Sequence, residues 1–323
     1  MKGKGVSAVR RKQDARGVAG WVILAVLILL FSAASPKFYA LSNIITVLRQ
    51  ISLLGIASLG LMYVMLTGYM DLSVGAQMSF SGMILAVCMT RLGLPVWLCA
   101  LLATGMGMLT GYLTGLVVTL TRIPSLLATL ATTSVFSGLS YLISGGNPIY
   151  NIREGILVLG QGHLGPIPIP AVILACMLAA SAFFLNKTYW GKYLCAVGSN
   201  AGAAKAVGLN TGRICRLAYT LCGLLAAVAG IIMVSRVNSA QPSAGLSYQL
   251  NTLAACAVGG VSMRGGKGKV INVINGILIV GVLTNGLGII GTSKYLQDVV
   301  QGLVFLLAMG LDYTRRRETG WTD

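Results

Sequence analysis

Acid is what this chain has least of. Seven Asp and Glu stand among 323 residues, against 24 Lys and Arg, and charged residues reach only 10%. A soluble domain carries about 25% charged residues, whereas 56% of this chain is hydrophobic. So few charges cannot cover that much apolar surface in water, which excludes an ordinary soluble enzyme. The same hydrophobicity excludes disorder. Histidine occurs once, at His163, and no two of the seven cysteines have C-x-x-C spacing. A zinc site therefore cannot be built from His and Cys. Cys88, Cys99, Cys176, Cys195, Cys215, Cys222 and Cys256 read as small buried apolar residues. No G-x-x-x-x-G-K-[ST] occurs, so there is no Walker A phosphate loop. The alternating ten-residue strands of a porin are missing too. What remains is an all-α polytopic membrane protein.

Long apolar runs supply the spans. A helix crossing the hydrocarbon core needs about 20 apolar residues. Breaking the sequence at charges, prolines and polar clusters gives about ten candidates: 19–35, 44–67, 74–91, 95–121, 125–144, 168–185, 214–235, 248–263, 270–288 and 295–312. The eighth is short and holds Asn251 and Gly259-Gly260, so a broken or re-entrant segment is expected there. The first run resembles a signal peptide in layout, but its length and the spans that follow read as a first transmembrane helix. This divides the chain into a basic tail (1–17), a transmembrane domain (18–312) and a short tail (313–323).

A net charge of +17 would suggest nucleic acid on a soluble protein, but the placement of the basic residues points to the membrane instead. With the N-terminus inside, eighteen Lys and Arg fall on inner segments, Arg122 among them, and six on the outer side. That bias predicts cytoplasmic N- and C-termini. The outer loop 145–167 carries Arg153, Glu154 and His163, and the inner loop 186–213 is long and basic. Within it, Asn200-Ala-Gly-Ala-Ala-Lys-Ala-Val-Gly208 reads as a short helix with a glycine stop. A small surface helix there suits docking of a cytoplasmic partner through Asn200, Ala203, Ala204, Lys205 and Gly208.

Other motifs are weak. Gly160-Gln-Gly162-His-Leu-Gly165 runs into Pro166, Pro168 and Pro170, and Gly286-Leu-Gly288-Ile-Ile-Gly291 ends a span, so neither reads as a dinucleotide site. Gly265-Gly266-Lys267-Gly268-Lys269 reads as a basic inner turn, and Gly107, Gly111 and Gly115 as a close helix contact. No nucleophile and base are paired, so catalysis is not expected. Asp71, in Gly68-Tyr-Met-Asp71-Leu-Ser73-Val-Gly75, reads either as a cap for a helix that restarts or as part of a pathway, with Ser73 and Gln77 beside it. Asp298 lies four residues after Lys294 and can pair with it. Asn238, Gln241, Asn251, Asn272, Asn275, Asn285, Gln297 and Gln301 cluster in the last third. Neutral amides both donate and accept, which suits a path for a polyhydroxylated solute or hydrogen bonds between helices.

These pieces together look like one family. Residues 68–75 resemble the G-x-x-D-L-S-x-G signature of permease subunits of ribose-type sugar ABC importers, within the branched-chain amino acid/sugar permease superfamily. Pro124-Ser-Leu-Leu-Ala-Thr-Leu130 resembles the P-x-x-x-A-T-L helix start of that family. Gly191 to Asn200, then Ala203-Ala204 and Gly208, resemble its cytoplasmic coupling segment. Gly223 to Gly230, Ser239-Ala-Gln241-Pro242, Gly259-Gly260 and Gly265 to Gly268 match in order. One departure is Ala201, where the family commonly has glutamate, so docking would rest on shape and basic residues.

The resemblance implies a transport subunit of the bacterial inner membrane. Its expected partners are a cytoplasmic ABC ATPase, an extracytoplasmic sugar-binding protein, a second permease copy and the surrounding lipids, with no nucleic acid. ATP and Mg would bind the ATPase, and this chain would hold no cofactor. A branched-chain amino acid permease, an ion-coupled secondary transporter and a scaffold without transport are the alternatives. Asp71, Ser73, Gln77, Asn238, Gln241, Asn251, Asn275 and Gln301 are the pathway candidates.

Overall fold

The structure, a computed structural model, describes residues 20–121 and 123–317. The basic tail 1–17, Arg122 and the last six residues of the C-terminal tail lie outside the described residues. So does the side chain of Lys294, and with it the expected pairing to Asp298.

Helices occupy all ten stretches expected from the apolar runs. They are α1 (Gly20–Ala34), α2 (Leu41–Leu66), α3 (Val74–Thr90), α4 (Val96–Leu120) and α5 (Ser125–Ser144). After a short α6 (Glu154–Gln161) follow α7 (Ile169–Lys187), α8 (Tyr189–Ser199), α9 (Ala201–Ala206), α10 (Thr211–Val237), α11 (Leu246–Gly259), α12 (Val270–Ile289) and α13 (Lys294–Arg317). Among the described residues six of these (α2, α4, α5, α7, α10 and α12) are long and apolar enough to cross a membrane. The chain is thus a multi-pass helical membrane protein. The only strands among the described residues are two-residue pairings, β1 (Ile149–Tyr150) with β4 (Ser239–Ala240) and β2 (His163–Leu164) with β3 (Ile167–Pro168).

Burial separates inner from outer helices. Every residue of α2 from Ile51 to Leu66 is buried, and α10 is nearly as enclosed. A helix that is apolar all round belongs inside its bundle. α4, α5 and α7 bury few residues and present leucines and aromatics outward. Water does not drive helices together within lipid, so small residues do the packing. A Cβ on Gly111 would lie 2.3 Å from Tyr219 O, and one on Gly107 2.6 Å from Gly223 O, so α4 lies directly on α10 there.

The bundle has two distinguishable ends. Leu66–Gly68, α8–α9 and the turn 264–266 meet at one. Arg91, Ile143, the β1–β4 pair and Gly160–His163 gather at the other, where Arg91 Nη1 donates to Ile143 O at 2.8 Å. Between these ends two short helices start head to head. A Cβ on Gly75, in the first turn of α3, would be 2.4 Å from Gly245 O. Gly245 precedes α11, and its N–H donates to Ser79 Oγ at 2.8 Å. From that junction α3 runs toward Arg91, while α11 runs to Gly259 at the start of α12. The eighth span is accordingly a 14-residue helix that begins inside the bundle.

Candidate functional site

The break between α2 and α3 leaves backbone groups without helical partners, and each found here is met by a side chain from elsewhere. Tyr219 Oη donates to Met70 O at 2.9 Å, and Thr133 Oγ1 to Leu72 O at 3.1 Å. Met70 N donates to Ser125 Oγ at 3.3 Å. Tyr219 is fully enclosed. Sequence patterning did not single out Tyr219, Ser125 or Thr133, because their role depends on two distant helices, α5 and α10, converging on one turn.

Asp71 is the centre of this turn. Its Oδ1 accepts from Ser73 N at 2.7 Å and from Ser73 Oγ at 2.5 Å. Gln77 Nε2 donates to Ser73 Oγ at 2.7 Å and reaches Asp71 Oδ2 at 3.5 Å, and Thr110 Oγ1 donates to Gln77 Oε1 at 3.4 Å. The Cys222 thiol faces the same carboxyl. None of these partners is Lys or Arg. Ser73 is the N-cap residue of α3, but its own side chain caps no helical N–H. Asp71 therefore fastens the turn before the helix. All of Asp71, Ser73, Gln77 and Thr110 are buried, so in this conformation none of them lines an open passage.

A second feature joins this turn to the loop 186–213. A Cβ on Gly198 would fall 1.9 Å from Leu66 O and 2.5 Å from Gly266 N. Gly266 N donates to Leu66 O at 2.9 Å. Gly68 and Gly265 both hold positive φ, +85° and +90°, which favours glycine. Three separate motif stretches thus meet as bare backbone, with the Asp71 turn directly beyond. α9 begins three residues after Gly198, at Ala201. Asn200 Oδ1 accepts from Ala203 N at 2.9 Å as its N-cap, and Gly208 ends the segment at φ +85°. Ala203, Lys205 and Gly208 are exposed, as is Val207. Ala204 instead points inward, 4% exposed, and anchors the helix.

A third feature is a cavity of about 130 Å³ between α2, α11 and α12, lined by Gln50, Leu54, Ser247, Tyr248, Asn251, Val280, Gly281 and Thr284. Gln301 Nε2 donates to Thr284 Oγ1 at 3.2 Å from α13. The lining offers hydroxyls and amides, with no charge. Of the pathway candidates, Asn251 lines the cavity, and Gln301 reaches it only through Thr284. Gln50, Ser247, Tyr248 and Thr284 join them without having been anticipated, since only packing tells a lining Thr from a helix-bonded one.

The remaining polar candidates lie elsewhere. Asn238 closes α10 in the left-handed region at φ +53°, and Gln241 is exposed in the following turn. Asn275 is buried in α12 against Gly20, away from both the turn and the cavity. Asn285 exchanges reciprocal amide hydrogen bonds with Asn43 at 2.9 and 3.1 Å. Asn272 ties Lys269 N to Gly259 O. Five of the seven cysteines are buried, Cys195 partly so, while Cys176 is exposed.

Comparison with known proteins places this arrangement. Residues 43–309 match the family described as branched-chain amino acid transport system / permease component. The ribose import permease protein RbsC of Bacillus subtilis (strain 168) is 38% identical over 291 residues, covering 90% of each chain. RbsC of Escherichia coli (strain K12) is 36% identical over 297 residues, covering 90% of this chain and 92% of its own. The L-arabinose transport system permease protein AraH of the same strain is 33% identical over 296 residues, covering 92% of this chain and 90% of its own.

Proposed function

Because this chain belongs to the family of branched-chain amino acid transport system permease components, we propose that it is the membrane-spanning subunit of an ABC importer for a sugar. The observation that carries this reading is its similarity, along nine-tenths of its length, to a ribose import permease and an L-arabinose transport system permease. The ten helices would each enter the inner membrane, α3 and α11 as half-spans, with both termini in the cytoplasm. The excess of basic residues on the α8–α9 end supports that orientation.

Energy enters from a separate ATPase, which holds ATP and Mg. It docks on the exposed face of α9, around Ala203, Lys205 and Val207, with Asn200 and Gly208 shaping the ends and Ala204 anchoring the base. The glycine joint of Gly68, Gly198, Gly265 and Gly266 passes a shift of α9 to the end of α2. From there it reaches the Asp71 turn and the head-to-head start of α3 and α11. Unlocking that turn opens the path, and the solute shifts the balance by binding the two states unequally. Neutral donors and acceptors at Gln50, Ser247, Asn251 and Thr284, with Gln301 behind them, meet the sugar hydroxyls. An amino acid zwitterion would leave its charges unmatched in that lining, which favours a sugar. A sugar-binding protein outside delivers the solute, and a second permease copy completes the assembly.

Reconstitution with its ATPase in liposomes tests the proposal. Uptake of labelled ribose or arabinose should require both the ATPase and ATP. Uptake driven by an ion gradient without any ATPase would overturn it.

A further inference from the structure

A groove of about 460 Å³ runs between α4 and α10 near the start of α10. Its lining is Tyr112, Arg213, Arg216, Leu217 and Thr220, with no carboxylate among them. Arg213 and Arg216 are three residues apart, so both guanidinium groups lie on one helix face. Arg216 Nε donates to Gly212 O at 3.3 Å, which orients that side chain while its two terminal nitrogens point away from this bond. Thr220 Oγ1 donates to Arg216 O at 2.8 Å and keeps its lone pairs for an incoming donor.

We propose that this groove binds the headgroup of an anionic phospholipid. Four observations carry the assignment. Guanidinium forks match phosphate oxygens in a bidentate way that a lysine point charge does not. The groove climbs from Arg213 to Thr220, about 10 Å along α10, so it runs from the first turn into the span. A soluble anion or an ATPase side chain needs only the outer part of such a groove, whereas a glycerophospholipid fills its whole length. Above it, α4 continues with Met108, Leu109 and Leu113, all at least 41% exposed, as a surface for acyl chains. Finally, the walls are closely packed. Gly111 and Gly115 bring α4 onto the backbone of Tyr219 and Arg216, so both walls of the site are in place in the protein alone.

The site lies at the end of the bundle where the basic loops gather, the side on which anionic lipid attracts Lys and Arg. Occupancy would tie the first turns of α10 to α4, next to the 186–213 loop, without touching the sugar path. The proposal stands whatever the solute is.

Native mass spectrometry of the full-length protein in detergent tests it. Phosphatidylglycerol should be retained roughly tenfold more strongly than phosphatidylcholine of the same chain length, in keeping with charge-assisted contacts. Arg213→Gln with Arg216→Gln should remove that preference, and each single change should weaken it. Lys192→Gln with Lys205→Gln, which deletes the same charge elsewhere, should leave it intact. Glycerol 3-phosphate at the same concentration should fail to compete. Equal retention of both lipids by the unaltered protein would overturn the proposal, as would an equal loss in the lysine control. Full competition by glycerol 3-phosphate would make it a soluble-anion site. Crosslinking of a Thr220→Cys variant to a second copy or to the ATPase in the membrane would show a protein-covered groove and would also sink the idea.

Discussion

Asp71 carries a carboxyl into the middle of a helical bundle and finds a hydroxyl, a backbone N–H and an amide there instead of a cation. Removing it leaves the Ser73 N–H and hydroxyl buried without their acceptor, at about 1–3 kcal/mol for each group, while Gln77 keeps its bond to Ser73 Oγ. Asp71→Ala should therefore lower the thermal unfolding temperature in detergent markedly. Asp71→Asn keeps one acceptor oxygen and should fall between the two. A variant Asp71→Ala as stable as the parent would mean the turn is held by Tyr219 and Thr133 alone. Glycine positions are equally specific. Gly198→Ala drives a Cβ into Leu66 O, whereas Gly105→Ala meets nothing within 4 Å. Overpacking costs about 1–3 kcal/mol. The first change should destabilise the protein and slow transport, and the second should do neither, as unfolding and uptake assays would reveal.

The proposed coupling falls to short elements. α9 has six residues, too few to be stable alone, and stands because Asn200 caps it and Ala204 is tucked into the bundle. Val207 at its end is 77% exposed and free to meet a partner. Val207→Asp should leave folding unchanged yet reduce co-purification of the ATPase. Ala204→Asp places a carboxylate in a buried site and should lower the yield of folded protein. Comparing pull-down with unfolding temperature separates the two effects. If Val207→Asp retained full ATPase binding, the docking face would lie elsewhere on the 186–213 loop. The helix itself was legible from its alanines, its Asn start and its glycine stop. The inward turn of Ala204 was not, because a six-residue alanine-rich segment has no apolar stripe to say which side faces the bundle.

At the scale of the whole molecule, the polar residues of the last third fall into separate jobs. Asn238, Asn272 and Asn285 finish or join helices, while Asn251 lines the cavity and Gln301 bonds to Thr284 in its wall. Replacing Asn251 or Gln301 by Ala should raise the sugar concentration for half-maximal uptake several-fold, as expected for one lost hydrogen bond of about 1 kcal/mol. ATPase binding should not change. Measured uptake in proteoliposomes beside a pull-down decides this. An unaltered concentration dependence would remove the cavity from the path.

The apolar runs were enough to locate ten helical stretches, and so few charges against so much apolar surface were enough to make the chain a membrane protein. Both follow from solvent chemistry, which acts on each segment separately. Only the folded chain shows that the glycines of three distant motifs form one joint, that α3 and α11 begin head to head, and that Asp71 is enclosed. Those facts depend on which backbones approach each other across long stretches of chain. A glycine leaves room for a close approach, and the packing of the bundle decides what makes it.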